Sequence, residues 1–197
     1  TTVTPTLVNA ASVLAAGMSL IGGVVGLVLV LSGDLLALVE QQRTHDPLTG
    51  LLNRQGLRHW VASQSAEEPV ALGMVDLDHF KQINDLHGHG MGDQVIRHLA
   101  TLLQACGSEH CRAARLGGEE FVVVALGSGR GPDLRQMLER LRQQFADTAP
   151  QPGATLSAGL ALGSVGEFEA TLREADAALY RAKQAGRNRV EAAFSAI

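Results

Sequence analysis

Two short acidic clusters are the parts of this sequence best suited to chemistry. The first, Asp76–Asp85, begins where the apolar run Val70–Leu77 ends. That run is predicted to be a buried strand, which would place Asp76 and Asp78 at the rim of a sheet. Mg²⁺ is commonly held by one or two carboxylates together with substrate phosphates, so a sparse acidic rim suits a metal–nucleotide complex. Taken alone, an Asp-x-Asp pair at a strand end is weak evidence for a metal.

The second cluster follows a pair of glycines in the stretch Arg115–Phe121. A Gly-Gly turn permits positive φ angles and leaves its backbone amides accessible to a phosphate. Glu119 and Glu120 follow the glycines, and strand alternation would direct them to opposite faces. Glu119 is the one we favour as a metal ligand. In isolation, an ordinary exposed hairpin with charged residues explains this pentapeptide more simply.

The segments that must position these residues alternate between helix and strand signals after His45. Apolar periodicity and turn residues predict helices over Asn53–Ser63, Gly92–Ala105, Leu134–Phe145 and Glu169–Ala185. They predict strands over Val70–Leu77, Cys111–Leu116, Glu120–Leu126, Ala154–Leu162 and Arg189–Ala192, with Gly117-Gly118 as a two-residue hairpin turn. This order favours an α+β fold with a central, mostly antiparallel sheet flanked by helices.

The N-terminal part of the chain has a different composition. Thr6–Ser32 contains no charged residue, and residues 7–31 are long enough to cross a bilayer as one helix. Basic residues Arg43, Arg54 and Arg58 follow this segment and none precedes it, which predicts that the C-terminal side lies in the cytoplasm. The alternative is a buried helix of a soluble protein, which would need covering on every side.

Features within and after this segment suggest pairing of two chains. Gly22 and Gly26 have the spacing that lets membrane helices approach closely, although glycine is also simply common in such helices. We assign residues 1–32 to the membrane segment and residues 33–45 to a short helical linker. Leu31, Leu35 and Leu38 have heptad-like spacing that could pair with a second copy.

Charge and cysteine content exclude several classes of protein. The formal net charge of −4 argues against a nucleic-acid-binding surface, so phosphate chemistry would depend on a few placed cations. Cys106 and Cys111 are too few for a disulfide framework. His110 beside Cys111 could suggest a metal, but two reduced structural thiols are the simpler interpretation, and they suit a cytosolic domain.

Taken together, the spaced motifs resemble those of the GGDEF family of diguanylate cyclases, with the signature loop in its GGEEF form. The motifs that carry the resemblance are Asp46–Arg54, Asp76–Asp93, Gly117–Phe121, Ser157–Gly159 and Ala175–Lys183. The resemblance covers nearly everything from His45 onward. It implies a catalytic domain over residues 46–197 with a ferredoxin-like, palm-type fold of the nucleotidyl cyclases.

The resemblance also implies roles for individual residues. A magnesium site, which Mn²⁺ could also fill, would use Asp76, the Leu77 carbonyl, Glu119 and Glu120. Glu119, Glu120 and Lys81 would be the catalytic residues, with Glu120 either binding the metal or activating the attacking hydroxyl. Substrate would be bound by Phe80, Lys81, Asn84, Asp93, Gly117, Gly118, Lys183 and Arg187. Among these, Asn84 and Asp93 would bind the guanine base, and the cations would contact phosphates.

Two pairings within these motifs can be checked in the structure. Lys183 and Arg187 are four residues apart and would face one way if their helix persists through Gly186. A solvated helix end is the plainer alternative for this pair. Asp46 and Arg115 could form an ion pair that ties the 46–50 turn to the glycine hairpin.

The activity implied is the condensation of two GTP molecules into cyclic di-GMP with release of pyrophosphate. Each domain would hold one GTP, so a homodimer is needed, at the inner membrane of a bacterium with its catalytic domain in the cytoplasm. Ser108 and Cys111 stand where many relatives carry an Arg-x-x-Asp inhibitory site, which predicts no feedback inhibition there. The alternatives are a GTP or cyclic di-GMP binding module without turnover, and a structural membrane protein whose soluble domain only dimerises.

Overall fold

The computed structural model describes residues 16–19, 27, 44–105 and 110–193. The chain divides into two compact units, residues 1–42 and residues 43–197. Most of the predicted membrane segment over residues 7–31, and most of the linker over residues 33–45, lies outside the described residues. Within the described parts, no helix has both the length and the apolar character needed to cross a bilayer.

The second unit is built on a six-stranded sheet in the order β1-β3-β4-β2-β5-β6. The strands are β1 (Leu52–Asn53), β2 (Pro69–Leu77), β3 (Cys111–Gly117), β4 (Glu120–Leu126), β5 (Leu156–Ser164) and β6 (Val190–Ala192). The helices are α1 (Arg54–Ala62), α2 (Phe80–His87), α3 (His89–Ala105), α4 (Arg130–Thr148) and α5 (Phe168–Gln184), with a 3₁₀ turn at Val165–Glu167.

The four long strands form the antiparallel centre that the sequence predicts. Strands β2 to β5 pair antiparallel, and their spatial order (fourth, first, third, second) is that of a ferredoxin-like fold. The short edge strands β1 and β6 pair parallel to β3 and β5. The sheet is therefore mixed, because of two parallel edge pairs that the sequence did not predict.

Strand alternation divides the interior into two cores. In β2, Ala71 and Val75 pack in the core that α3 and α4 cover, whereas Leu72 and Met74 pack in the core that α1 and α5 cover. Because successive side chains point to opposite faces, Asp76 lies on the same face as Leu72 and Met74. The last turn of α5 lies on that face too, which brings its cations to the carboxyl end of β2.

Helix boundaries differ from the sequence predictions at two places that matter for the site. The helix α2 was not predicted, although it carries Lys81 and Asn84. Lys183 and Arg187 would face one way only if α5 persisted through Gly186, and this condition is not met. The helix ends at Gln184, and Gly186, Arg187 and Asn188 have φ angles of 111°, 63° and 47°. The Arg187 amide donates to the Ala182 carbonyl (3.0 Å), so a left-handed cap replaces the next helical turn.

A single glycine allows α5 to lie against the sheet. A Cβ atom at Gly159 of β5 would come within 2.1 Å of both the Ala175 carbonyl oxygen and the Leu179 amide nitrogen. Both are backbone atoms of the helix, so neither can move aside as a side chain could. Gly159 therefore fixes how closely α5, and with it Lys183, approaches β5.

We predict that Gly159→Ala lowers the free energy of unfolding by about 3 kcal/mol or more, because the helix must be displaced. The matched control is Gly90→Ala in α3, where a Cβ would meet nothing within 4 Å and should be neutral or stabilising. Urea unfolding followed by circular dichroism measures both. Equal stability of the two variants would contradict the packing argument.

Candidate active site

The carboxyl end of β2 and the start of β4 place two carboxylates side by side. Asp76 and Glu120 are paired residues of neighbouring antiparallel strands, so their side chains share one face of the sheet. Asp76 is 6% exposed, whereas Glu120 is exposed. The Leu77 amide donates to the Glu119 carbonyl (3.4 Å), which holds the Glu119 turn against the end of β2.

The charges around Asp76 act on it in opposite directions. Burial raises the pKa of this carboxyl, and the charges of Glu119 and Glu120 raise it further. The Lys183 ammonium, 2.8 Å from Asp76 Oδ1, opposes them by hydrogen bonding and by its charge, but the pKa stays above its ordinary value. Ionised Asp76 is therefore only partly compensated by protein groups, which is the environment in which a bound cation is stabilised.

These residues fit an oxygen-ligated divalent ion, but they do not form a complete cage. Within the described ranges, no group of three or more His, Cys, Asp or Glu side chains is arranged to hold a metal by itself. The fold thus brings Asp76, Leu77, Glu119 and Glu120, the predicted metal ligands, to one end of the sheet. They do not form a complete coordination shell there. An ion that keeps few protein ligands and completes its shell with phosphates matches that arrangement.

The hairpin turn lies one residue later than predicted. Gly117 pairs with Glu120, so Gly118 and Glu119 are the two turn residues, and the register shifts between Arg115 and Gly117. Gly117 and Gly118 have φ angles of 146° and 52°, which glycine adopts readily. Because Glu119 lies in the turn, the alternation argument that sent Glu119 and Glu120 to opposite faces does not apply. Both carboxylates act on Asp76.

Arg115 joins this turn to the first turn of the domain. Its Nε and Nη2 donate to the Gly118 carbonyl at 3.0 and 2.8 Å, and its Nη1 donates to both Asp46 carboxylate oxygens at 3.1 Å. The ion pair predicted from the sequence is confirmed. Burial acts to raise the pKa of Asp46, but hydrogen bonds from Thr49 and Arg115 and the Arg115 charge outweigh it and hold the pKa below its ordinary value.

A second group of predicted residues lies on α2 and α3. The Asn84 Oδ1 is buried and has no hydrogen-bond partner within the described protein. A Cβ at Gly92 would lie 2.0 Å from that oxygen, so only glycine leaves room beside it. The next residue, Asp93, is partly exposed and lies 3.7 Å from Arg97. The Asn84 Oδ1 therefore lies beside Gly92 as a hydrogen-bond acceptor that no described protein group uses.

The remaining predicted site residues differ in how they are held. Phe80 is buried in the core at the start of α2, with 8% of its surface exposed, so it supports the site from within. Lys81 is exposed on the same helix. Arg187 lies on the left-handed turn after α5 and not on the helix itself. Lys183 and Arg187 therefore do not share a helical face.

Sequence reasoning did not assign a role to Asp78. This carboxylate is 3% exposed and accepts three hydrogen bonds, from Ser157 Oγ (2.7 Å), Thr155 Oγ1 (2.7 Å) and the Asn188 amide (3.0 Å). The Asp-x-Asp pattern was the available signal, but the donors that distinguish Asp78 from Asp76 come from β5 and from the turn after α5.

For the Asp46–Arg115 pair, we predict that Asp46→Asn or Arg115→Gln each lowers the unfolding free energy by about 1–3 kcal/mol. The double variant should cost less than the sum, since the two residues interact directly. Because the pKa of Asp46 is lowered on folding, its contribution is complete above pH 3.8 and is lost as the pH falls further. Asp46→Asn should therefore lose less stability in acid than the unmodified protein. Strict additivity in urea unfolding would contradict this coupling.

Comparison with known proteins agrees with this geometry. The family model described as "Diguanylate cyclase, GGDEF domain" matches residues 43–189. The chain is 41% identical over 170 residues to diguanylate cyclase DgcP of Pseudomonas aeruginosa, a match that covers 78% of this chain and 24% of that protein.

Solved structures give the same result. The GGDEF domain of DgcB from Caulobacter crescentus, in complex with c-di-GMP, superposes with a TM-score of 0.70 at 36% identity, covering 77% of this chain and 94% of that one. The active GGEEF domain of a diguanylate cyclase from Vibrio cholerae superposes with a TM-score of 0.65 at 33% identity, covering 74% and 99% of the two chains.

The curated relatives are longer proteins than this one. The chain spans between 19% and 48% of the length of those it matches, so the likeness concerns one domain of each. That domain includes both acidic clusters, the glycine turn and α5. The chain therefore belongs to the GGDEF diguanylate cyclase domain family.

Proposed function

We propose that residues 46–197 form a Mg²⁺-dependent diguanylate cyclase, which joins two GTP molecules into cyclic di-GMP with release of pyrophosphate. The observation that carries this proposal is the meeting of three carboxylates and one lysine at one end of the sheet. Asp76 comes from β2, Glu119 and Glu120 come from the hairpin, and Lys183 comes from α5. Identity of 41% to a diguanylate cyclase, and likeness to an active GGEEF domain, support the same activity.

The acidic residues would hold the divalent ion against the triphosphate. Asp76, the Leu77 carbonyl, Glu119 and Glu120 offer oxygen ligands, which suit Mg²⁺ and its substitute Mn²⁺. When bound, the ion supplies charge neutralisation at the phosphates and lowers the pKa of an attached hydroxyl. Exposed Glu120, paired across the strands with Asp76, is also placed to accept a proton from the attacking 3′-hydroxyl.

The cations would orient the phosphates. Lys183 Nζ lies 2.8 Å from Asp76 Oδ1 and partly compensates its charge, and an incoming triphosphate would offer this lysine a second anion. Exposed Lys81 on α2 and Arg187 on the turn after α5 supply two further charges, and the Gly117-Gly118 backbone leaves room for a phosphate.

The 3′-hydroxyl of one GTP attacks the α-phosphorus of the other, the α–β bridging bond breaks, and pyrophosphate leaves. A second, symmetric attack closes the ring, so the protein mainly positions the reactants and neutralises charge.

Guanine selection would depend on acceptors on α2 and α3. Asn84 Oδ1 has a buried, unused lone pair, and the Asp93 carboxylate lies one residue beyond Gly92. Both can accept from the N1–H and 2-amino group of guanine, which adenine lacks. A base that leaves these buried polar groups without hydrogen bonds would bind much more weakly than guanine.

The proposed reaction requires two copies of the domain, because each copy binds one of the two GTP molecules and supplies one half of the active site. We propose a homodimer with facing half-sites related by a two-fold axis.

We also propose that residues 7–31 anchor the chain in the inner membrane with the domain in the cytoplasm. This rests on the uncharged stretch and on the basic residues that follow it.

Glu119→Gln and Glu120→Gln should each reduce cyclic di-GMP formation at least about hundredfold, because each removes a carboxylate that would hold the divalent ion at the phosphates or accept the proton of the attacking hydroxyl. Thermal unfolding should not be impaired, since either change relieves repulsion on Asp76. The control is Glu169→Gln, whose carboxylate pairs with Arg58 on the surface and should leave turnover unchanged.

Mass spectrometry of the nucleotide products measures how much cyclic di-GMP each variant forms. Full turnover by either hairpin variant would refute the assigned roles. Binding of GTP by the unmodified protein without formation of pyrophosphate would instead favour the silent binding module.

Asn84→Ala should raise the KM for GTP about tenfold, since it removes a hydrogen bond to the base. It should leave the unfolding free energy within about 1 kcal/mol, because its Oδ1 makes no hydrogen bond in the described fold. The contrasting control is Asn53→Ala, whose Oδ1 caps α1 by accepting from the Gly56 amide (2.9 Å), and which should cost about 1 kcal/mol of stability. A large loss of stability with an unchanged KM in Asn84→Ala would exclude its role in base recognition.

A further inference from the structure

The turn that follows α5 is conformationally costly. Arg187 and Asn188 are consecutive non-glycine residues with φ angles of 63° and 47°. A side chain in the left-handed region is strained, so such residues persist only where surrounding contacts hold them. The turn carries Arg187, one of the proposed phosphate ligands, and directly follows the helix that carries Lys183.

Asp78 provides the contact that holds this turn to the sheet. Its Oδ2 accepts from the Asn188 amide (3.0 Å) and from Thr155 Oγ1 (2.7 Å), and its Oδ1 accepts from Ser157 Oγ (2.7 Å). The carboxylate is 3% exposed, so water cannot easily replace a lost partner. The Asp78 amide donates to the Thr155 carbonyl (2.9 Å), which fixes the residue itself at the end of β2.

The end of β2 and the residue just after it thereby contact α5 and the turn that follows it. Asp76 contacts Lys183 before the helix ends, and Asp78 contacts Asn188 after the helix has ended. These two contacts span the whole exit of α5. They set the position of the Arg187 backbone relative to the acidic end of β2.

We propose that Asp78 is a positioning residue, which holds the left-handed Arg187–Asn188 turn so that Lys183 and Arg187 are preset for the phosphates of GTP. This inference rests on the proposed function. Asp78 touches no reacting atom in this scheme, and its effect on binding is transmitted through the backbone of the turn.

Asp78→Asn tests the contact with little change in side-chain volume, since an amide has only one acceptor oxygen and cannot serve all three donors. Calorimetry with a GTP analogue whose α–β bridge cannot be cleaved, and with GMP, which lacks the β- and γ-phosphates, separates contacts to those two phosphates from contacts to the rest of the nucleotide. We expect affinity for the analogue to fall about tenfold, the factor for one lost hydrogen bond to a charged group, and affinity for GMP to fall less than about twofold. Unchanged affinity for the analogue, or an equal loss for both nucleotides, would overturn the proposal.

Two variants of Asn188 test the turn without altering Asp78. Both Asn188→Gly and Asn188→Val lose the contact between Asn188 Oδ1 and Arg142 Nη1 (2.9 Å), and both keep the backbone amide. Glycine adopts the left-handed angle without strain whereas β-branched valine does not, so Val should lower affinity for the analogue about tenfold more than Gly does. Equal affinities would also overturn the proposal, and this pair decides the question if Asp78→Asn does not fold.

Hydrogen exchange separates this inference from the proposed function. The Asn188 amide should exchange at least about tenfold faster in Asp78→Asn than in the unmodified protein, because its buried acceptor loses its charge and one of its two oxygens. If the unmodified protein bound no guanine nucleotide, the proposed function would fail, and the role of Asp78 in positioning phosphate ligands would fail with it. Faster exchange would then still identify Asp78 as the anchor of the turn, whereas unchanged exchange would exclude even that.

Discussion

A buried carboxylate at the end of a strand must be compensated by positive charge, and the site is organised around how Asp76 meets that requirement. Burial and two neighbouring glutamates raise its pKa, and Lys183 offsets only part of that effect. The protein thus maintains a concentration of negative charge that a hydrophobic core would not tolerate unaided. A divalent ion would supply the missing positive charge, and it would in turn hold the triphosphate of the proposed substrate.

Two left-handed turns bring the remaining groups to that carboxylate. At the hairpin, glycines supply the required φ angles, and Arg115 holds the turn by binding the Gly118 carbonyl and Asp46 together. After α5 there is only one glycine, and the next two residues need a contact from elsewhere, which Asp78 provides. The two solutions differ physically. In the hairpin, glycine lowers the conformational cost of the left-handed angles. In the turn after α5, a buried hydrogen bond to Asp78 offsets that cost.

The ferredoxin-like sheet explains why these distant segments meet. Antiparallel pairing of β2 with β4 aligns Asp76 with Glu120, and pairing of β2 with β5 aligns Asp76 with Ser157. Gly159, two residues further along β5, lets α5 approach closely enough for Lys183 to reach the same carboxylate. Packing on the face opposite the α3–α4 core thus controls the electrostatics of the site.

The sequence alone determined the segments and their chemistry, because apolar periodicity, turn residues and side-chain types are local properties. It located β2 and β4 within about one residue, it predicted Asp76, Glu119, Glu120 and Lys183 as site residues through the family resemblance, and it suggested the Asp46–Arg115 pair. Tertiary structure alone decided that the hairpin turns at Gly118-Glu119, since the register of β3 against β4 places Gly117 opposite Glu120. It also decided the course of the chain after α5, where Asp78, 110 residues earlier in the chain, accepts a hydrogen bond from the Asn188 amide. Such choices depend on contacts between residues far apart in sequence, and no local pattern encodes which distant donor or acceptor will be within reach.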